Sequence, residues 1–285
     1  RTCLKITIII PVYNEQAHLE HMLKALVVQT IKPTQVIIVD DNSTDNTPSI
    51  IKKFVDSFAW ITTVNTKTRS KHSPGAKVIE AFYKGYEKCN PDSELIGKFD
   101  ADIVLPTNYL EKMVAIFASD KLIGMAAGNL YIKKRDTWVF EDISEKTKVR
   151  GPIKLYKKEC FDAIGGLKKS IGWDTVDVLL AAFHGWKTKT DPLAHVKHLK
   201  PTGNDYTSGA KYSQGEAFYK MRYTKTLARI AALKLAVTKK DPLFYLYCMR
   251  GYSISKKKQQ AFIVTQQEGE FIRNFRWKAI KKKIL

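Results

Sequence analysis

Residues 95–105, LIGKFDADIVL, are an apolar run that ends in two carboxylates, Asp100 and Asp102. Such a run reads as a buried strand, and side chains two apart on an extended segment share a face. Both acids are therefore expected to reach one cation or one ligand where the strand runs out. Unpaired buried charge is costly, so two aspartates there require a balancing partner. A divalent metal carrying a phosphate satisfies both and leaves coordination positions open.

The pattern of apolar strand and polar end also occurs upstream. ITIIIP over 6–11 is a β-branched run closed by Pro11, as expected for a buried parallel strand. Asn14 is placed to cap a helix in which Leu19, Met22, Leu23 and Leu26 recur at helical spacing. VIIVDD over 36–41 repeats strand then acid, and STDNTP over 43–48 supplies caps for a helix carrying Ile51, Phe54 and Phe58. A short strand at 61–64, a polar loop at 69–74 and a helix at 77–87 lead to the run at 95–105. Strands alternating with helices imply a largely parallel sheet covered on both faces, with ligands beyond the carboxyl ends of the strands. Glu15, Asp40, Asp41, Asp100 and Asp102 all fall at such ends. After Thr107, the expected cap of a helix bearing Leu110, Met113 and Phe117, the alternation weakens. Strands are expected at 123–127 and 130–133, a turn at Gly165 and Gly166, and a short helix at 177–183.

Charge narrows the partners. The 48 Lys and Arg against 28 Asp and Glu leave +20, which favours phosphorylated ligands, anionic lipid or nucleic acid. No nucleic-acid motif accompanies that charge. The four cysteines are far apart without a C-x-x-C, so neither a zinc site nor a disulfide framework is indicated, and a reducing cytoplasm is expected. No apolar run approaches the roughly 18–20 residues of a spanning helix, and the N-terminus lacks a signal-peptide pattern. The first strand is not followed by the G-x-G-x-x-G loop that a dinucleotide oxidoreductase needs.

PVYNE over 11–15, VDDNSTD over 39–45 and DAD over 100–102, in that order, make the chain resemble the family 2 glycosyltransferases of the GT-A fold over about its first 200 residues. The resemblance implies an α/β, Rossmann-like, mixed and mainly parallel sheet flanked by helices. It also implies an inverting transfer of a sugar from a nucleotide diphosphate sugar to an acceptor hydroxyl, with Mg²⁺ or Mn²⁺. Matched position by position, Pro11, Tyr13, Glu15 and Asp41 resemble the nucleoside pocket. Asp102 and Asp100 resemble the pair that holds the metal, and the stretch from Arg69 to Lys77 resembles the one beneath the diphosphate, with Lys77 facing phosphate. GWDTVD over 172–177 occupies the place of the family's acidic motif, with Asp174 at the position of the base that takes the acceptor proton. The sequence departs there: Trp173 replaces an acid and becomes either a surface for the acceptor sugar or a core residue, and Asp177 is the reserve base or a helix-capping residue. His198, ahead of LKPTG, matches a late histidine that completes the metal site, with His195 the alternative.

The expected organisation is a catalytic domain over 1–214, with a nucleotide-sugar half to about 105 and an acceptor half beyond it. A basic, aromatic helical extension follows over 215–285. In its last helix, Phe271, Ile272, Phe275, Ile280 and Ile284 suggest an apolar stripe among basic residues, which reads as an interfacial helix on an anionic membrane, the inner face of the cell membrane. A basic helix packed on the rest of the chain accounts for the same pattern. The expected partners are the sugar donor and a glycan or lipid-linked acceptor. The competing class is a non-catalytic protein that binds nucleotide sugars or polyanions such as nucleic acid.

Overall fold

The computed structural model describes residues 4–67, 75–142, 145–200 and 212–284. They fall into two compact units, one within Arg1–Arg69, Val78–Leu167 and His184–Asn204, the other within Ser70–Lys77, Lys168–Phe183 and Asp205–Leu285. The loop expected at 69–74 and most of the LKPTG run lie outside the described residues.

In the first unit β1 (Ile6–Val12) runs parallel to β2 (Gln35–Asp40) and β4 (Leu95–Phe99), and β2 runs parallel to β3 (Ile61–Asn65). Ile8, Ile9 and Ile10 are fully buried in succession, which is what a central parallel strand covered on both faces demands. Helices α1 (Leu19–Val27), α2 (Thr47–Ser57) and α3 (Ala76–Tyr86) connect these strands. Leu19, Met22, Leu23 and Leu26 form the buried stripe of α1, as their spacing predicts. Gly85 lets α3 lie close on the sheet, since a Cβ there would sit 2.6 Å from Ile9 and 2.7 Å from Val39.

The strand expected over 95–105 stops at Phe99. The chain turns through Asp100, Ala101 and Asp102 and resumes as β5 (Ile103–Val104). The same-face argument for the two acids holds only for an extended chain, so it fails at this turn.

The second half of the sheet is made of β6 (Ile123–Lys134), β7 (Thr137–Phe140), β8 (Ile153–Lys157) and β9 (Lys187–His198). The described strands join in the order β3-β2-β1-β4-β8-β6-β9-β5, with β7 paired to β6. β8 is antiparallel to both β4 and β6, whereas β9 is parallel to β6. The two strands expected at 123–127 and 130–133 are one strand of 12 residues, whose register against β9 shifts between Ala127 and Asn129. Helices α4 (Tyr109–Ser119) and α5 (Lys158–Ala163) complete this unit.

The second unit contains α6 (Trp173–Phe183), α7 (Ser213–Lys220), α8 (Lys225–Lys239), α9 (Pro242–Lys257) and α10 (Gln266–Ile284). The helix expected at 177 starts four residues earlier, after Gly172 at φ 75°. α6 groups with the C-terminal helices rather than with the acceptor half expected over 106–214. α8 and α9 form a hairpin: Thr224 caps α8 by accepting from the Leu227 N–H at 3.2 Å, and Asp241 caps α9 by accepting from the Phe244 N–H at 3.3 Å. α7 packs closely on α9 through glycines. A Cβ at Gly251 would lie 2.0 Å from the Tyr212 carbonyl oxygen. Among the described residues no helix is long and apolar enough to cross a membrane.

Candidate active site

Two loops follow β1 and β2 at their carboxyl ends and are tied to each other. Asn14 adopts φ 52°, donates its N–H to Ser43 Oγ at 2.9 Å and accepts from the Thr44 N–H at 2.8 Å. The Glu15 N–H donates to Thr47 Oγ1 at 2.9 Å, and the Gln16 N–H to Asp45 Oδ2 at 3.2 Å. This corrects the expectation that Asn14 caps α1: the cap position is His18, and Asn14, Ser43 and Asp45 join the two loops instead. Asp40 is buried and accepts from the Ser43 N–H at 3.0 Å, while the Asp41 N–H donates to the Val12 carbonyl at 2.9 Å. Tyr13 stands 58% exposed at the tip, and Pro11, Glu15 and Asp41 are half-buried along the rim. Acceptors fixed on a braced rim suit the N–H and hydroxyl groups of a nucleoside.

The acid pair divides its partners. Asp100 Oδ1 pairs with the ammonium of Lys98, itself buried in β4, and the Asp100 N–H donates to the Pro152 carbonyl at 3.0 Å. Asp102 Oδ2 lies 3.6 Å from His198 Nε2, an ion-pair distance rather than a hydrogen bond, and the Leu199 N–H holds the Asp102 carbonyl at 2.8 Å. Two acids on one cation were expected; the structure pairs Asp100 with Lys98 and Asp102 with a histidine.

His198 is 4% exposed and is gripped from its other side by Glu141 Oε2, 3.0 Å from Nδ1. Arg150 Nη1 donates to the same Glu141 oxygen at 2.6 Å. Burial alone would lower the His198 pKa, but the neighbouring carboxylates of Asp102 and Glu141 overcome it and raise it to about 9. Asp102 Oδ1 is buried and accepts no hydrogen bond among the described residues. A buried carboxylate oxygen without a donor is a costly group, and a hard cation is the partner that fits it. No group of three metal-ligating side chains occurs among the described residues; Asp102 and, 3.6 Å from its Oδ2, His198 are the two side chains at this point. His195 points to the opposite side of β9, exposed, its ring tilted against that of Tyr131 with centroids 4.2 Å apart. Glu141 and Arg150 carried no sequence signal: they are far from the motifs, and Glu141 is 57 residues from its histidine partner.

In the second unit Asp174 is exposed in the first turn of α6 and Asp177 is buried. Trp173 is 7% exposed, in keeping with the core alternative: helical spacing turns it inward with Val176 and Asp177. Lys77 is exposed in the first turn of α3, just after Gly75 at φ 81°.

A mostly parallel α/β sheet with its acids gathered at the carboxyl ends of the strands defines a protein that binds its ligand across that edge. Residues 7–168 match the family described as Glycosyl transferase family 2, and the chain belongs to that family. The fold is GT-A. It is shared with S. aureus TarS in complex with UDP-GlcNAc, at TM-score 0.58 and 18% identity over 77% of this chain and 65% of that one. The mannosyltransferase PcManGT from Pyrobaculum calidifontis, in complex with GDP-Man and Mn²⁺, matches at TM-score 0.58 and 15% identity over 97% of this chain and 80% of that one. At such identities the likeness speaks for the fold alone. Beta-monoglucosyldiacylglycerol synthase of Synechocystis sp. is 24% identical over 171 residues, 54% of this chain and 34% of that protein. The chain spans about half the length, or less, of the curated relatives it matches.

Proposed function

We propose that the protein transfers a sugar from a nucleotide diphosphate sugar to an acceptor hydroxyl with inversion at the anomeric carbon. The observation that carries this reading is the buried, undonated Oδ1 of Asp102 beside His198 at the carboxyl end of the sheet, in a chain of this family. The loop rim of Pro11, Tyr13, Glu15 and Asp41 receives the nucleoside, Glu15 and Asp41 supplying acceptors. Asp102 would hold a divalent cation, Mg²⁺ or Mn²⁺, and His198 would join it on giving up its Nε2 proton; the cation would supply positive charge against the diphosphate. Asp100 keeps Lys98 as its counter-charge and borders the ribose, and Lys77 adds an ammonium for phosphate.

Asp174, exposed at the start of α6, acts as the base. Its carboxylate takes the proton of the acceptor hydroxyl while that oxygen bonds to the anomeric carbon and the bond from that carbon to the diphosphate oxygen breaks. The buried position of Asp177 favours a structural role over that of reserve base. The acceptor class is a glycan or a lipid-linked hydroxyl; relatives named for diacylglycerol and undecaprenyl-phosphate substrates support the lipid option.

Asp174→Asn tests the assignment: donor binding stays at the wild-type affinity while transfer falls about a hundredfold or more, the usual range for loss of a general base. Transfer at the wild-type rate in Asp174→Asn refutes the assignment of the base.

A further inference from the structure

The C-terminal helix α10 was expected to carry an outward apolar stripe, but its first apolar residues are used internally. Ile272 is fully buried and the Phe271 ring meets that of Phe183 at 5.5 Å, leaving Phe275 as the exposed one. The exposed large apolar side chains of the second unit concentrate instead on the α8–α9 hairpin. On α8, Ile230, Leu233 and Val237 repeat at three and four residues, one helical stripe, and Val237 is 71% exposed. On α9, Leu243 and Leu246, three residues apart, are exposed as well. The opposite side of α8 is already filled by Leu227, Ala228, Ala232 and Ala236, and that of α9 by Cys248, Gly251 and Tyr252, so the outward residues have no room inward.

The charge around these stripes is of one sign. From Lys225 to Lys258 the chain has nine lysines and arginines against the single acid Asp241, and Asp241 is occupied as the cap of α9. Arg229 and Lys234 adjoin the α8 stripe directly and both are exposed. A second copy of this face would bring two strongly positive hairpins together. An anionic lipid surface matches both properties at once, taking the apolar side chains into the acyl boundary and the ammonium and guanidinium groups to the headgroups.

We propose that the α8–α9 hairpin is a docking surface for anionic membrane, lying on the bilayer rather than crossing it. The long basic side chains keep their charged ends at the headgroup level while their stems cover the apolar stripe. The surface is independent of the sugar-transfer reading, because it neither uses nor requires the acid pair.

Flotation of the full chain with vesicles of phosphatidylcholine, alone or with one third phosphatidylglycerol, tests this. The wild type floats with the anionic vesicles, stays behind with the neutral ones, and is released in about 0.5 M salt. Leu233→Ser/Val237→Ser/Leu246→Ser changes exposed residues only; with an unaltered melting temperature it lowers the bound fraction about tenfold. Arg229→Glu/Lys234→Glu lowers it as well, and Phe275→Ser on α10 leaves it unchanged. Absence of wild-type flotation, or equal flotation of the triple-serine variant, overturns the proposal. So does a concentration-dependent dimer that the serine variant abolishes, which assigns the face to a second copy.

Discussion

Asp102, His198, Glu141 and Arg150 form a row of alternating charge, buried save for one edge. Each interior charge in the row has an opposite charge on both sides, which is how four ionised groups can coexist away from water. The imidazole is held by its Nδ1 edge and so presents Nε2 to Asp102. The Glu141 carboxylate thereby fixes the ring plane of the imidazolium. Glu141→Gln leaves Arg150 and the His198 imidazolium sharing a neutral neighbour. We expect a loss of about 3 kcal/mol, the scale for breaking a buried pair, in urea unfolding under chelator. A loss within 0.5 kcal/mol, the ordinary range for surface changes, contradicts the network.

The two loops after β1 and β2 act as one element because Asn14 bridges them. Its φ of 52° strains most residues by about 1–2 kcal/mol, and its side chain holds the Thr44 N–H. Asn14→Gly is expected to lose only what that side chain accepts from the Thr44 N–H and hydroxyl, about 1 kcal/mol, whereas Asn14→Ala loses the same and adds the strain. Equal melting temperatures for the two variants would sink this account of the loop. The sequence revealed β1, β2 and β4 because strands buried on both faces must be apolar throughout, and α1 through its spacing. It concealed the turn at Asp100 and Asp102, since the alternating pattern of an extended chain and a turn between two short strands read alike in LIGKFDADIVL. β9 was hidden for a different reason: KTKTDPLAHVKH is polar and partly exposed, and only its distant partner β6 makes it a strand. Glu141 and Arg150 come from a polar stretch with no periodicity, so their meeting with His198 is purely tertiary.

At the scale of the molecule, the first unit carries the acids and the metal-competent carboxylate, and the second carries Asp174 and the basic hairpin. This grouping leaves no linear signal in the sequence, because α6 is short and surrounded in sequence by segments of the first unit, while its packing partner α10 lies near the end of the chain. The net charge of +20 fits both proposals, a phosphate-bearing donor at the sheet edge and an anionic surface at α8–α9. The central claim is that Asp102 holds the cation through which the donor diphosphate binds. Isothermal titration of UDP-sugars and GDP-sugars, with Mn²⁺ or with chelator, measures it directly in the wild type and in Asp102→Asn. Binding of a donor that requires Mn²⁺ and disappears in Asp102→Asn is the predicted result; binding that is undiminished in that variant, or indifferent to the metal, contradicts the claim.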